Sequence, residues 1–115
     1  DLAPPTTPFD KLSFSCFGSA AFAEALSLTG RKTLLLCGVE AHICVLQTGL
    51  DALAARYQVH LVVDATGSRT PGNATLGHQR LENAGAVLSS AEMAIYELLG
   101  ASGTPAFKSL LPHFK

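Results

Sequence analysis

One cysteine stands where an apolar segment of this sequence gives way to a helical one, a position that suits a nucleophile. The run 33–37 (TLLLC) predicts a buried β-strand, residues 38–44 (GVEAHIC) follow it, and a segment with helical spacing comes next. The free N–H groups and the positive dipole end of a helix start favour an anion. A thiol in such surroundings has its pKa lowered from about 8.5 and becomes reactive. Cys44 is therefore a candidate nucleophile, with an inert core cysteine as the alternative.

Strand-like and helix-like patterns alternate along the rest of the chain. Apolar runs at 33–37, 59–63 and 86–89 predict strands, and the first has the near-continuous apolar character of a parallel strand covered on both faces. Apolar spacing and capping residues predict helices from Ser19 to Gly30, between 42 and 57, after a break at 71–73, and over 91–99 with Ser90 as N-cap. This order predicts an α/β fold in which helices flank a mostly parallel sheet.

The composition limits the classes of function. The chain has 115 residues, 48% of them hydrophobic, and a formal net charge of −1, so it can bury a core as one domain. That charge gives no electrostatic reason to bind nucleic acid or an anionic membrane, and no apolar run reaches the ~18 residues of a membrane helix. Three cysteines without a C-x-x-C pair argue against disulfides and structural zinc and favour a reducing, cytoplasmic compartment. We expect a small-molecule substrate, no metal and no cofactor.

A lysine near the start of the chain is the second candidate for chemistry. Residues 11–17 alternate polar and apolar side chains, which predicts a short strand or loop that directs Lys11, Ser13 and Ser15 to one side. Ligands of open α/β sheets bind at the carboxyl ends of the strands, where residues 38–44 and 64–69 are expected. Lys11 could reach the same rim, although most lysines are solvated surface residues.

Four short motifs follow one another along the chain. Their residues, in chain order, are Lys11, Ser15 and Phe17; Gly38, Val39, Cys44 and Val45; Asp64, Ala65, Ser68 and Arg69; and Glu92, Met93, Ala94, Glu97 and Leu98. In these motifs the sequence resembles the isochorismatase-like cysteine hydrolases, which include nicotinamidases. The corner G-V-E-A-H differs from the G-x-x-T of the nicotinamidases and is similar to that of the isochorismatase-domain-containing branch.

The resemblance implies a three-layer α/β/α fold and an Asp-Lys-Cys triad. In that reading Cys44 is the nucleophile, and Lys11 lies near both the thiol and the aspartate. The backbone N–H groups of Glu40 and Cys44 form an oxyanion hole, with a cis peptide bond between Val39 and Glu40. His42 could contact the substrate, or be an ordinary polar residue at a helix start.

The sequence departs from the family at the aspartate, which normally ends the first strand of the domain. Asp1 and Asp10 are poor substitutes, because neither follows an apolar run. We therefore expect residues 1–115 to be the carboxyl-terminal part of one such domain, lacking its N-terminal strand or strands. The missing part would be a partner of this chain, and without it strands 33–37 and 59–63 would expose a long apolar edge. Asp64 and Arg69 are expected to pair with each other or to order their loop.

Two functions from different classes remain open at this stage. The first is a cysteine hydrolase that cleaves an amide or similar C–N bond in a small molecule. The second is a catalytically incomplete domain that serves as a binding or assembly module. We also expect a homo-oligomer, and the apolar tail 107–114 could either contact a partner or cover the chain's own core.

Overall fold

A computed structural model describes residues 6–114, so Asp1 lies outside the described part of the chain. The three strands form one parallel sheet in the order β1-β2-β3. A single π-helical turn, Ala41–Val45, follows β1, and short 3-10 turns occur at Cys16–Gly18 and Leu111–Phe114. The other elements are α1 Ala20–Leu28, β1 Thr33–Val39, α2 Leu46–Ala54, β2 Gln58–Gly67, α3 Pro71–Ala84, β3 Val87–Ser89, α4 Ala91–Leu99 and α5 Pro105–Leu110.

Helices cover both faces of the sheet. Alternate residues of a strand point to opposite faces, and Leu61 of β2 packs in the buried core against α2 and α3, with Leu81 of α3 among its members. On the other face, His60 lies beside Ala94 of α4, which is itself buried. The predicted α/β class with a parallel sheet between helices is confirmed.

The first strand is less covered than its apolar sequence indicates. Along β1 every second residue is exposed, with Leu35 at 46% and Val39 at 71% of their maximum. The prediction of cover on both faces is therefore wrong, because β1 is an edge strand and the helix on that face, α4, packs on β2. The expectation that 59–63 also forms an edge is wrong too, since β2 lies between β1 and β3.

A large bulge in β2 changes which of its residues lie at the carboxyl end of the sheet, beside the end of β1. Leu36 pairs with Leu61, but two residues later Gly38 pairs with Thr66, so residues 62–65 of β2 stand opposite Cys37 alone. The strand then continues to Gly67, beyond the predicted end at 63. Val39 consequently pairs with Gly67 rather than with a residue near Asp64.

Local capping signals explain most of the helix ends. Ser19 and Ser90 accept hydrogen bonds from Phe22 and Met93 at the starts of α1 and α4, as predicted. The predicted break at 71–73 is wrong, because Thr70 caps α3 and Pro71 takes its first position, where a missing N–H is tolerated.

The second helix ends earlier than its apolar spacing predicts. Arg56 has a φ of +71°, and the N–H groups of Arg56 and Tyr57 bond to the carbonyls of Leu53 and Ala52. This is a Schellman motif with arginine where glycine is usual. The apolar stripe therefore reaches Tyr57 while α2 itself stops at Ala54.

The tail packs on its own chain. Phe107 and Phe114 lie against Tyr96 of α4, with ring centroids 5.9 and 5.1 Å away. These contacts agree with one of the two expectations for residues 107–114, namely that they pack on their own chain. In residues 6–114, no helix combines the length and the apolar character that crossing a membrane requires.

Helix α3 approaches the π turn closely enough to contact its backbone. A Cβ atom added to Gly77 would lie 2.8 Å from the Ala41 carbonyl oxygen and 2.9 Å from the His42 Cα. Those are backbone atoms, which cannot swing away as a flexible side chain does. Glycine is therefore required at this position for steric reasons, although its φ is not positive.

We predict that Gly77→Ala destabilises the protein by about 1–3 kcal/mol, because the added methyl overpacks the contact with the π turn. Gly72→Ala is the matched control in the same helix, where a Cβ would meet nothing within 4 Å. Alanine there should be neutral or stabilise by up to ~1 kcal/mol through helix propensity. Chemical denaturation gives both free energies of unfolding, and equal stability of the two variants would contradict the prediction.

Candidate active site

The amine of Lys11 lies 3.8 Å from the sulfur of Cys44. The same Nζ donates hydrogen bonds of 2.9 Å to the carbonyl oxygens of Ser13 and Phe14. An ammonium group has three donors, so two are used by the loop and one remains for the sulfur. The structure thus brings together the two residues that the sequence singled out for chemistry.

The loop that carries Lys11 is attached to α2 by polar contacts. The buried Ser15 hydroxyl donates a 2.6 Å hydrogen bond to the Asp51 carboxylate and accepts one from the Phe17 N–H. One residue later, the backbone N–H of Cys16 donates to the Thr48 hydroxyl at 2.9 Å. The segment is a loop and then a 3-10 turn, and Asp51 and Thr48 on α2 set its position.

A cavity of about 190 Å³ opens beside the sulfur. Cys44 is half-buried, so the sulfur is not sealed inside the core. All three cysteines line this cavity, none of them is in a disulfide, and Cys37 is the exposed one. The lining residues are Lys11, Cys16, Leu36, Cys37, Val39, Cys44, Val45 and Thr48.

The π turn determines how Cys44 is presented. The Glu40 carbonyl accepts hydrogen bonds from the N–H groups of Ile43 at 3.1 Å and Val45 at 3.2 Å, and α2 begins at the next residue. Cys44 therefore lies in the turn before α2. The peptide bond between Val39 and Glu40 is cis, at the position where the resemblance implied one.

Arg69 pairs with Glu40, not with Asp64. Its backbone N–H and its Nε each lie 3.0 Å from Glu40 Oε1. The backbone hydrogen bond is the main cause that lowers the pKa of Glu40; the Arg69 side chain and nearby His42 act the same way, and partial desolvation opposes them. Asp64 instead accepts a 2.8 Å hydrogen bond from the Ala91 N–H at the start of α4. The Asp64–Arg69 pair, one of the two alternatives expected from the sequence, is wrong, because each of the two residues has a different partner.

His42, the possible substrate contact, bonds through Nδ1 to the Ser68 hydroxyl at 2.8 Å. Ser68 and Arg69 follow β2 directly, so the side chains of Glu40 and His42 both contact the same short segment. Ser68 and Arg69 also line an open groove of about 650 Å³, together with Val39, Glu40 and Gly67. The resemblance singled out Ser68, Arg69, Glu40 and His42 separately, but the sequence did not predict the contacts that join them.

Among residues 6–114, no group of three or more His, Cys, Asp and Glu side chains is arranged to hold a metal ion. His78 has a different contact, with its Nε2 2.8 Å from the Thr66 hydroxyl. That hydroxyl also donates to the Val63 carbonyl, so His78 Nε2 must carry the proton in their bond. This contact ties α3 to the bulged part of β2.

Comparison with protein families matches residues 1–93 to the isochorismatase domain. Among curated proteins, the chain is 41% identical over 109 residues to the secreted isochorismatase effector Isc1 of Phytophthora sojae. This match covers 94% of the present chain and 52% of Isc1. The chain spans about half the length of the curated relatives it matches.

Solved structures that are similar in fold include the following two. MAR1 ribonuclease from Caenorhabditis elegans matches with a TM-score of 0.82 and 38% identity, over 90% of this chain and 53% of that one. The pyrazinamidase/nicotinamidase of Streptococcus mutans matches with a TM-score of 0.66 and 32% identity, over 70% and 45%.

We predict that Ser15→Ala lowers the free energy of unfolding by about 1–3 kcal/mol, since it removes a hydrogen bond to a carboxylate and leaves the Phe17 N–H without its acceptor. Ser27→Ala is the matched control, at an exposed position of α1, and should change stability by no more than ~0.5 kcal/mol. Denaturant titration measures both. Equal values for the two variants would show that the Ser15–Asp51 contact does not hold the Lys11 loop.

We also predict how Glu40 affects the stability of the protein in acid. Because the pKa of Glu40 is lowered in the folded state, its contribution to stability is present above its unfolded pKa of about 4.3 and is lost as the pH falls through the folded pKa. Glu40→Gln should therefore make the free energy of unfolding less dependent on pH between about pH 5 and pH 3. Glu82→Gln, at an exposed site of α3, is the control. A Glu40→Gln profile as steep as that of the unmodified protein would contradict the prediction.

Proposed function

The chain belongs to the isochorismatase domain family, and from that premise we propose that it acts as a cysteine hydrolase on an amide or similar C–N bond of a small molecule. The observation that carries the proposal is the 3.8 Å contact between the Lys11 ammonium and the Cys44 sulfur beside an open cavity. A positive charge next to the sulfur stabilises the thiolate, which is the nucleophilic form.

In the proposed reaction the thiolate of Cys44 attacks the carbonyl carbon of the amide. The C=O electrons move to oxygen, and the resulting oxyanion is bound by the backbone N–H groups of Glu40 and Cys44. When the oxyanion collapses, the C–N bond breaks and the nitrogen takes a proton and leaves as an amine or ammonia. The thioester on Cys44 is then hydrolysed by water to a carboxylic acid and the free thiol.

The proton transfers need an acid–base group, for which we propose the family's aspartate. Among the described residues, the ion pair present is the one between Arg69 and Glu40, and no carboxylate pairs with Lys11. Asp51 bonds to Ser15 and Asp64 to Ala91, so both carboxylates serve the fold. We therefore propose that this aspartate comes from an N-terminal part of the domain that precedes these residues. It would take the thiol proton and return it to the leaving nitrogen.

Lys11 in this mechanism is a fixed charge. Its bonds to two carbonyl oxygens hold the ammonium in place beside the sulfur without consuming the third donor. His42 is a candidate for substrate contact through Nε2, because its Nδ1 is engaged by Ser68. The pyrazinamidase/nicotinamidase among the solved relatives supports an amide as the substrate class, whereas the G-V-E-A-H corner argues against nicotinamide itself.

A second candidate activity is cleavage of RNA, and one observation favours it. The C. elegans structure, at 38% identity, is of a protein named as a ribonuclease. The net charge of −1 provides no electrostatic attraction for a polyanion, so we place RNA second. The remaining alternative, a binding or assembly module without catalysis, is separated from both hydrolase readings by the reactivity of Cys44.

Reactivity towards iodoacetamide tests the nucleophile. We predict that Cys44 is alkylated at least ~10-fold faster than Cys37 near neutral pH, although Cys37 is the more exposed thiol. Lys11→Met should slow the alkylation of Cys44 by roughly 5- to 10-fold, since the thiolate loses its neighbouring charge. Peptide mass spectrometry follows both sites, and Lys108→Met at an exposed position of α5 is the control. A Cys44 no more reactive than Cys37 would favour the binding-module alternative.

The substrate class is tested with Cys44→Ala. Ammonia release is measured from a panel of primary amides that includes nicotinamide, and cleavage of a fluorescent RNA is measured in parallel. We predict amide hydrolysis that is lost in Cys44→Ala. Cleavage of RNA alone, again lost in Cys44→Ala, would replace the amide with the second candidate.

A further inference from the structure

Two side-chain contacts join the segment from Glu40 to Cys44 to the residues that follow β2. Glu40 Oε1 accepts two hydrogen bonds of 3.0 Å from the N–H and Nε of Arg69. His42 Nδ1 lies 2.8 Å from the Ser68 hydroxyl. Thus Arg69 holds Glu40 and Ser68 holds His42, and the two holding residues are consecutive in the sequence.

The register of the sheet makes these contacts possible. Val39 and Gly67 are the last paired residues of β1 and β2, so the residues that follow them leave the sheet side by side. The pairing at Gly67 depends on the bulge at residues 62–65, which shifts β2 by three positions relative to β1. Ser68 and Arg69 are thereby brought level with Glu40 and His42.

We propose that Ser68 and Arg69 are positioning residues for the oxyanion-binding N–H groups at Glu40 and Cys44. The inference rests on the proposed function, because it assumes that Cys44 attacks a carbonyl. Arg69 holds the carboxylate of Glu40, which directly precedes the π turn and is one of the two proposed donors. Ser68 holds His42, midway between the donors. These two contacts fix the turn in addition to the close approach of Gly77 of α3 to the backbone of Ala41 and His42.

Two probes of Cys44 separate positioning of the oxyanion hole from reactivity of the thiol. With 4-nitrophenyl acetate, the thiolate attacks the ester carbonyl, the carbonyl oxygen becomes an oxyanion, and collapse expels 4-nitrophenolate and leaves an acetyl thioester. With iodoacetamide, the sulfur attacks the CH₂ group and iodide leaves, so no oxyanion forms. The ratio of the acetylation rate to the alkylation rate therefore reports the oxyanion hole.

The experiment measures both rates on the intact protein for the unmodified sequence, Arg69→Met, Arg69→Lys, Ser68→Ala and the control Arg80→Met, an exposed arginine of α3. Acetylation is followed as the burst of 4-nitrophenolate, and Cys44→Ala gives the background. We expect the ratio to fall roughly 10- to 100-fold in Arg69→Met, because an oxyanion donor displaced by about 1 Å loses most of its effect. Ser68→Ala should lower it less, Arg69→Lys should recover part of it, and Arg80→Met should leave it unchanged.

The outcomes distinguish this inference from the function on which it rests. An unchanged ratio in Arg69→Met and Ser68→Ala overturns the positioning role while leaving Cys44 as the nucleophile. Acetylation and alkylation that fall together, with a loss of stability in denaturant, also overturn it, because Arg69 would then be only structural. If the unmodified protein shows no burst above Cys44→Ala, the proposed function fails and this inference fails with it.

Discussion

The contact between the Lys11 ammonium and the Cys44 sulfur, made across 33 positions of sequence, is the interaction on which the site depends. A lysine side chain free in solvent samples many rotamers, and restricting it costs up to about 2 kcal/mol. Here two carbonyl oxygens of its own loop restrict it before the sulfur is considered. The charge is therefore in place without depending on a weak bond to sulfur to hold it.

One helix serves as the common reference for both residues. Cys44 lies in the turn that leads directly into α2, and the loop of Lys11 is attached to Asp51 and Thr48 on that same helix. Because Lys11 and Cys44 are both positioned by α2, a small movement of that helix relative to the sheet would move the two residues together. This explains how a loop without regular structure can supply a residue at a defined distance.

The segment from Glu40 to Cys44 is held by two further parts of the fold. Helix α3 contacts its backbone at Gly77, and Ser68 and Arg69 bond to its side chains. The bulge in β2 is essential to this arrangement, since it brings Gly67 beside Val39 and releases Asp64 to cap α4. The irregular part of the sheet thus does more to build the site than its regular part.

Local patterns in the sequence determined the α/β class, the N-caps Ser19 and Ser90, and the placing of Cys44 between a strand and a helix. Each depends on hydrogen bonding or burial within a few residues, which composition and spacing report directly. The early end of α2 at Ala54 was not predictable, because it depends on a positive φ at Arg56 and arginine has no intrinsic preference for one. The closeness of Lys11 to Cys44 was implied by the family resemblance and not by any local pattern, and the partners of Ser15, Glu40 and Arg69 were decided only by the tertiary structure. Those contacts depend on strand register and helix docking, where one bulge exchanges Asp64 for Gly67 opposite the end of β1, and no local pattern records that choice.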